Sequence, residues 1–108
     1  MTQPLIQRGG ESYYSISAAR DAISALRSRG VAIVGVEGFR LTATSTEPLM
    51  DYIAHWPNVS RRPWEVFVAR CAGYCLQVLA EWNHDLPEGF MVSLALDEDG
   101  HNDSDPST

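Results

Sequence analysis

The sequence predicts an α/β fold of the α+β sandwich kind. A small mixed three-stranded sheet carries two main helices packed on one face, in the order α-β-β-(short α)-α-β. Three observations point to this. Two stretches, near 15–29 and 63–82, place apolar residues at helical spacing. Apolar or alternating runs of strand length lie at 31–37, 39–44 and 90–96. The length of 108 residues and a hydrophobic content of 44% suit a single core and are too apolar for a disordered chain.

Residues 1–12 hold one proline, a Gly-Gly pair and mixed polarity, and read as a loose entry segment. The first helix follows. Ile16, Ala19, Ile23 and Leu26 keep 3-4-3 spacing and form one stripe. Ser15 or Ser17 supplies the N-cap oxygen. Arg27 and Arg29 fall in the last turn, where the helix dipole favours cations, and Gly30 stops the helix. Val31 to Val34 then form a continuous apolar run that suits a strand buried on both faces. Phe39, Leu41 and Ala43 alternate with polar residues in a second strand. A tight bend at Glu37-Gly38 would join the two as an antiparallel pair, with a bulge at Gly35 as the alternative.

Residues 47–55 admit two readings. Thr46 as a cap, Pro48 in a first turn and the spacing of Leu49, Tyr52, Ile53 and Trp56 describe a short helix. An irregular packed loop with a short strand fits equally well. The long helix is clearer. Trp64, Phe67, Val68, Cys71, Cys75, Val78, Leu79 and Trp82 share one stripe, with Pro63 at its first position and Glu65 in its first turn. Gly73 in mid-helix costs about 1 kcal/mol relative to Ala and often marks close packing against another element. Phe90 to Leu96 is apolar on both alternating sets, which suits the centre of the sheet. Residues 1–96 are expected to form one compact domain and 97–108 an acidic disordered tail.

Net charge is −6, and five of the fourteen acids lie in the last twelve residues, which hold no Lys or Arg. Residues 1–96 carry nine acids against eight arginines, a charge of −1. No basic patch invites nucleic acid. No apolar run approaches the roughly 20 residues that span a bilayer. The N-terminus lacks the pattern of a secretion signal, so the expected location is the cytoplasm.

Each candidate for chemistry has a plain structural counterpart. "GVEG" at 35–38 leads into a strand rather than a helix, and the chain has no Lys, so neither the dinucleotide loop nor the P-loop is present. Cys71 and Cys75 sit four apart on the apolar helix stripe and read as buried thiols. His55, His84 and His101 share no metal-ligand spacing with them, so no metal or other cofactor is expected. Glu37 ends a buried strand, where a carboxylate can serve acid-base chemistry if a second group such as Asp51 or His55 comes within reach. The plain alternative is an exposed turn residue. Tyr13, Tyr14, Tyr52 and Trp56 lie in irregular segments. Beside Glu37, Glu47 and Asp51 they would make a protein-binding patch, or else they pack against the sheet.

The stretch "AARDAISALRSRGVAIVGVEGFRL" resembles the signature region of immunity protein 40, a family of bacterial polymorphic toxin systems. In that pattern a helix runs directly into a hydrophobic strand ending in a glycine-glycine-acid stretch, a place held here by Ile33-Val34-Gly35-Val36-Glu37. Val36 stands where a second glycine is typical. An aromatic segment corresponds to Tyr52–Trp56 and a long helix to Pro63–Trp82; by element order the likeness spans roughly 15–96. The resemblance implies a non-enzymatic protein without cofactor that neutralises a cognate toxin domain by occluding its active site. With that role, the aromatics and carboxylates already singled out, Glu37, Glu47, Asp51, Tyr52 and Trp56, are the expected partner-binding residues, and the composition argues for no nucleic-acid or membrane partner and a monomer or weak dimer when free. Two rivals remain: a module that self-associates through a sheet edge, and a small enzyme using Glu37 as acid or base.

Overall fold

A computed structural model describes residues 6–99. Along the chain they form β1 (Ile6–Arg8), β2 (Glu11–Tyr13), α1 (Ile16–Ser28), β3 (Val31–Leu41), β4 (Thr46–His55), α2 (Trp64–Trp82) and β5 (Phe90–Glu98). The α+β class and the two helices on one three-stranded sheet are as the sequence predicts. The sheet is antiparallel throughout rather than mixed, in the order β4-β3-β5.

The entry segment is not loose. β1 and β2 pair as a hairpin in the register Ile6↔Tyr13, Gln7↔Ser12, Arg8↔Glu11. Gly9 and Gly10 turn it with φ of +57° and +83°, a two-residue turn that needs positive φ at both positions. Strands of three residues are too short to show a period, which hides them in the sequence.

α1 follows its prediction closely. The Ser15 hydroxyl accepts from the Ala18 amide at 3.2 Å, so Ser15, not Ser17, is the cap. Ile16, Ala19 and Ile23 are buried and Leu26 is half-buried. The Gly30 amide closes the end on the Arg27 carbonyl at 3.0 Å.

The expected bend at Glu37-Gly38 does not exist. Residues 31–41 are one strand, and the register slips at two places instead: between Ile33 and Gly35 against β5, and between Glu37 and Phe39 against β4. Gly38 is there for close approach. A Cβ on it would lie 2.6 Å from Tyr52 Cβ and 2.8 Å from Phe90 Cε1. The chain turns further on, where the Thr42 hydroxyl accepts from the Ser45 amide at 3.0 Å and the Thr42 amide donates to the Ser45 carbonyl at 2.9 Å.

Residues 46–55 are strand, not helix. The register runs from Glu37↔Ile53 to Phe39↔Pro48, so residues 49–52 all face the single position 38. This bulge breaks the two-residue alternation and leaves apolar residues at spacings that imitate a helix.

β5 lies at the edge of the sheet, not its centre; β3 is central. β5 is nonetheless well covered at its start, because Tyr14 and Val92 exchange two backbone hydrogen bonds of 2.8 Å. The strand also runs on through Asp97 and Glu98, past the expected domain end at 96. Of the tail expected over 97–108, residues 100–108 lie outside the described residues.

The core joins Ile16, Ala19 and Ile23 of α1, Ala72, Cys75 and Leu79 of α2, and Ile33, Val36, Phe90 and Val92 of the sheet. The opposite sheet face is covered at one end only, where Tyr13 and Ile6 of the hairpin pack on Phe39, Leu41 and Met91. Trp64 ties the start of α2 to the end of α1, its Nε1 donating to the Gly30 carbonyl at 2.8 Å. Among the described residues no helix is long and apolar enough to cross a membrane.

Candidate protein-binding face

Strand alternation sets this face. Val36 and Gly38 point toward the helices, so Glu37 between them points away. Its cross-strand neighbours are Ile53 on β4 and Ser93 on β5, and His55 lies diagonally beyond Ile53, opposite Gly35. Glu37 and His55 are exposed, Ile53 is 41% exposed, and the hairpin stops short at Phe39. Among the described residues Glu37 makes no side-chain hydrogen bond and no ion pair. An unpaired carboxylate therefore sits exposed on the sheet face opposite the helices, with the exposed Ile53 on one side and the buried Ser93 on the other.

The five residues singled out in the sequence do not form one patch. Glu47 faces Arg40 across the β3–β4 ladder and pairs with it at 3.0 Å, both half-exposed, a contact worth little in water. Arg40 is two residues past Gly38, so this pair is on the helix side of the sheet, away from Glu37. Asp51 is exposed in the β4 bulge. Tyr52 and Trp56 are engaged within the fold. The Tyr52 ring stands edge-on to Phe90 at 5.0 Å and to Trp82 at 5.3 Å. Trp56 Nε1 donates to the Ile33 carbonyl at 3.0 Å, and its ring lies 5.9 Å from that of Tyr74. Both aromatics are half-buried.

His55, which the sequence offers as a companion of Glu37, lies diagonally across the ladder from it, while Ile53 and Ser93 are the neighbours that sequence reasoning missed. Only strand register brings them to Glu37, and two bulges make that register unreadable from alternation.

Concavities of about 440, 330 and 320 Å³ lie elsewhere among the described residues. Two flank Trp64 and Gly30 at the C-terminal end of α1; the third lies beside Leu41 and Gly89. Cys71 and Cys75 are free and buried. Burial pushes the Cys75 thiol up to about 12, with the neighbouring Cys71 adding to the effect. Burial raises Cys71 as well, opposed by Trp56 and Arg61. Both stay protonated and unreactive at neutral pH. Among the described residues no three His, Cys, Asp or Glu side chains gather to hold a metal ion.

Compared with protein-family models, curated proteins and solved structures, the chain matches no family model, no curated protein and no solved structure.

Proposed function

We propose that the chain is an immunity protein, a cytoplasmic binding module without cofactor that neutralises a cognate bacterial toxin domain by occluding its active site. The observation that carries this reading is Glu37, an exposed carboxylate without an internal partner, set on the sheet face opposite the helices between the exposed Ile53 and the buried Ser93. A charge beside an exposed aliphatic side chain on a rigid strand is suited to specific protein recognition, where it steers association and rejects wrong partners. The signature resemblance of residues 18–41 supports the same reading. Tyr52 and Trp56 support the site from within, by fixing β4 against the helices. Glu47 lies on the helix side, away from Glu37, and Asp51 is exposed in the adjoining β4 bulge, two residues before Ile53.

The enzyme alternative has less support. Glu37 is exposed, which leaves little to exclude water from a reaction at its carboxylate.

The test is co-expression with the C-terminal domain encoded by the neighbouring gene, followed by calorimetric titration. A tight complex and restored growth are expected, and Glu37→Ala should weaken binding by at least about 1 kcal/mol without unfolding the chain. No complex and no protection would remove the immunity reading. Unchanged affinity of the Glu37→Ala variant would remove this face from the interface.

A further inference from the structure

The solvent side of α2 is unusually apolar. Phe67, Val68, Cys71, Ala72, Cys75 and Leu79 bury the inner side. On the outer side Val66, Ala69, Gly73, Leu76 and Ala80 follow one another at spacings of 3, 4, 3 and 4. Val66 is 43% and Leu76 39% exposed, Gly73 and Ala80 are exposed, and Ala69 is half-buried. That spacing is the seam of a two-stranded coiled coil, about 21 Å long at the helical rise. A surface helix ordinarily shows polar residues there.

Gly73 adds a separate observation. A glycine in mid-helix destabilises it by about 1 kcal/mol relative to Ala. Within the chain nothing requires it: a Cβ at Gly73 would meet no atom within 4 Å. A glycine that the monomer does not need, at the centre of an exposed apolar seam, suits the close approach of a second helix from outside.

The flanking charges say which helix and in which direction. Glu65 and Arg70 border the seam, both exposed, and neither has an ion-pair partner among the described residues. They are five residues apart. In a parallel pair of identical helices with this seam, the residue before one seam position faces the residue five further along on the partner. Glu65 of each copy then meets Arg70 of the other, twice by symmetry. An antiparallel pair crossing at Gly73 would set each flank of the seam against the same flank of the partner, and Glu65 and Arg70, which lie on opposite flanks, would not meet. Charge complementarity thus selects a second copy of this chain in parallel orientation.

We infer that the outer face of α2 is a self-association seam, on which two copies pack α2 against α2 in parallel around Gly73. The helices cover one face of the sheet and Glu37 lies on the other, so the seam is independent of the binding reading. A dimer built this way presents two Glu37 faces outward. Exposed ion pairs add little affinity, so Val66 and Leu76 supply the strength and the charges set the direction.

Sedimentation equilibrium of the full chain over a roughly hundredfold concentration range should show a mass rising from monomer toward dimer. Leu76→Arg should abolish the rise. Glu65→Arg alone should weaken the dimer by about tenfold, and Glu65→Arg combined with Arg70→Glu should restore it. Far-ultraviolet circular dichroism should show every variant folded, since the altered side chains face solvent in the monomer; the two charge variants carry the test should Leu76→Arg fail to fold. A mass that stays monomeric throughout, or a dimer indifferent to these substitutions, would overturn the seam. A charge swap that does not restore association would overturn the parallel arrangement.

Discussion

Val36 and Glu37 are chain neighbours on the central strand, yet they belong to different regimes. Val36 is 1% exposed and packs among α1, α2 and β5, while Glu37 stands in water on the opposite side of the same sheet. On the helix side the core positions are constrained by volume: Gly38 has no room for a methyl group, and Ile33, Leu79 and Val92 leave no exposed surface to speak of. On the far side the hairpin constrains one end and leaves the remainder free. One strand therefore carries both the requirement to fold and the freedom to vary. A recognition surface placed at alternate residues of a rigid strand can change without disturbing the core a few ångströms away.

That contrast predicts a graded series of effects. The largest belongs to the helix side. Leu79 is fully buried, so Leu79→Ala should lower unfolding free energy by about 3 kcal/mol in urea denaturation, because the cavity left behind cannot close. A loss within the noise would mean that the core is far looser than its burial indicates.

Alkaline pH should follow. Cys75 is held well above its ordinary value of 9.0, at about 12, by burial. The folded state keeps this proton while the unfolded chain releases it, so the stabilisation is complete below pH 9 and is lost as pH rises toward 12. Stability should fall by roughly 1 kcal/mol per pH unit in that window, and Cys75→Ala should flatten the slope. An unchanged slope in that variant would show that another group sets the alkaline limit.

Gly38→Ala should cost about 2 kcal/mol, since the new methyl meets Tyr52 Cβ at 2.6 Å and the Phe90 ring at 2.8 Å. Gly73→Ala, outside the helix layer, should have the opposite sign and gain about 1 kcal/mol. It is best measured in the Leu76→Arg chain, where association across the seam does not contribute. Two glycines with the same substitution and opposite outcomes would sharpen the comparison; the same sign for both would break it.

How much of this was legible beforehand depends on period and register. α1 and α2 were readable because a three-turn or longer helix repeats its apolar stripe often enough to be recognised, and because Ser15 and Gly30 mark the ends of α1. The sheet was less so. The bulge in β4 spreads Leu49, Tyr52 and Ile53 over irregular spacings that fit a short helix as well as a loop with a short strand, and glycines, which usually break a strand, make β3 read as two. Gly38 was visible as a glycine, but the ring it makes room for comes from Phe90, more than fifty residues later. The same holds for the candidate face. Glu37 stood out by type, whereas Ile53 and Ser93 become its neighbours only through pairings that sequence spacing does not encode. Tyr52 and Trp56 drew notice as aromatics in irregular segments. Their burial follows from β4 being a strand of the sheet, with Tyr52 directed at Phe90 and Trp82.

The smallest effect is the most informative about the comparison itself. Glu37→Ala removes an exposed side chain that makes no internal hydrogen bond or ion pair among the described residues, so thermal denaturation should register a change under about 0.5 kcal/mol. Replacing its neighbour by the reverse logic, Val36→Glu, puts a charge among Ile23, Leu79 and Val92 and should prevent folding. If Glu37→Ala destabilised the chain substantially, the far face would be part of the structural core, and Glu37 would be held there by packing rather than left free for a partner. A silent substitution leaves the strand with one carboxylate that folding does not use, and binding is then the property on which its removal must be judged.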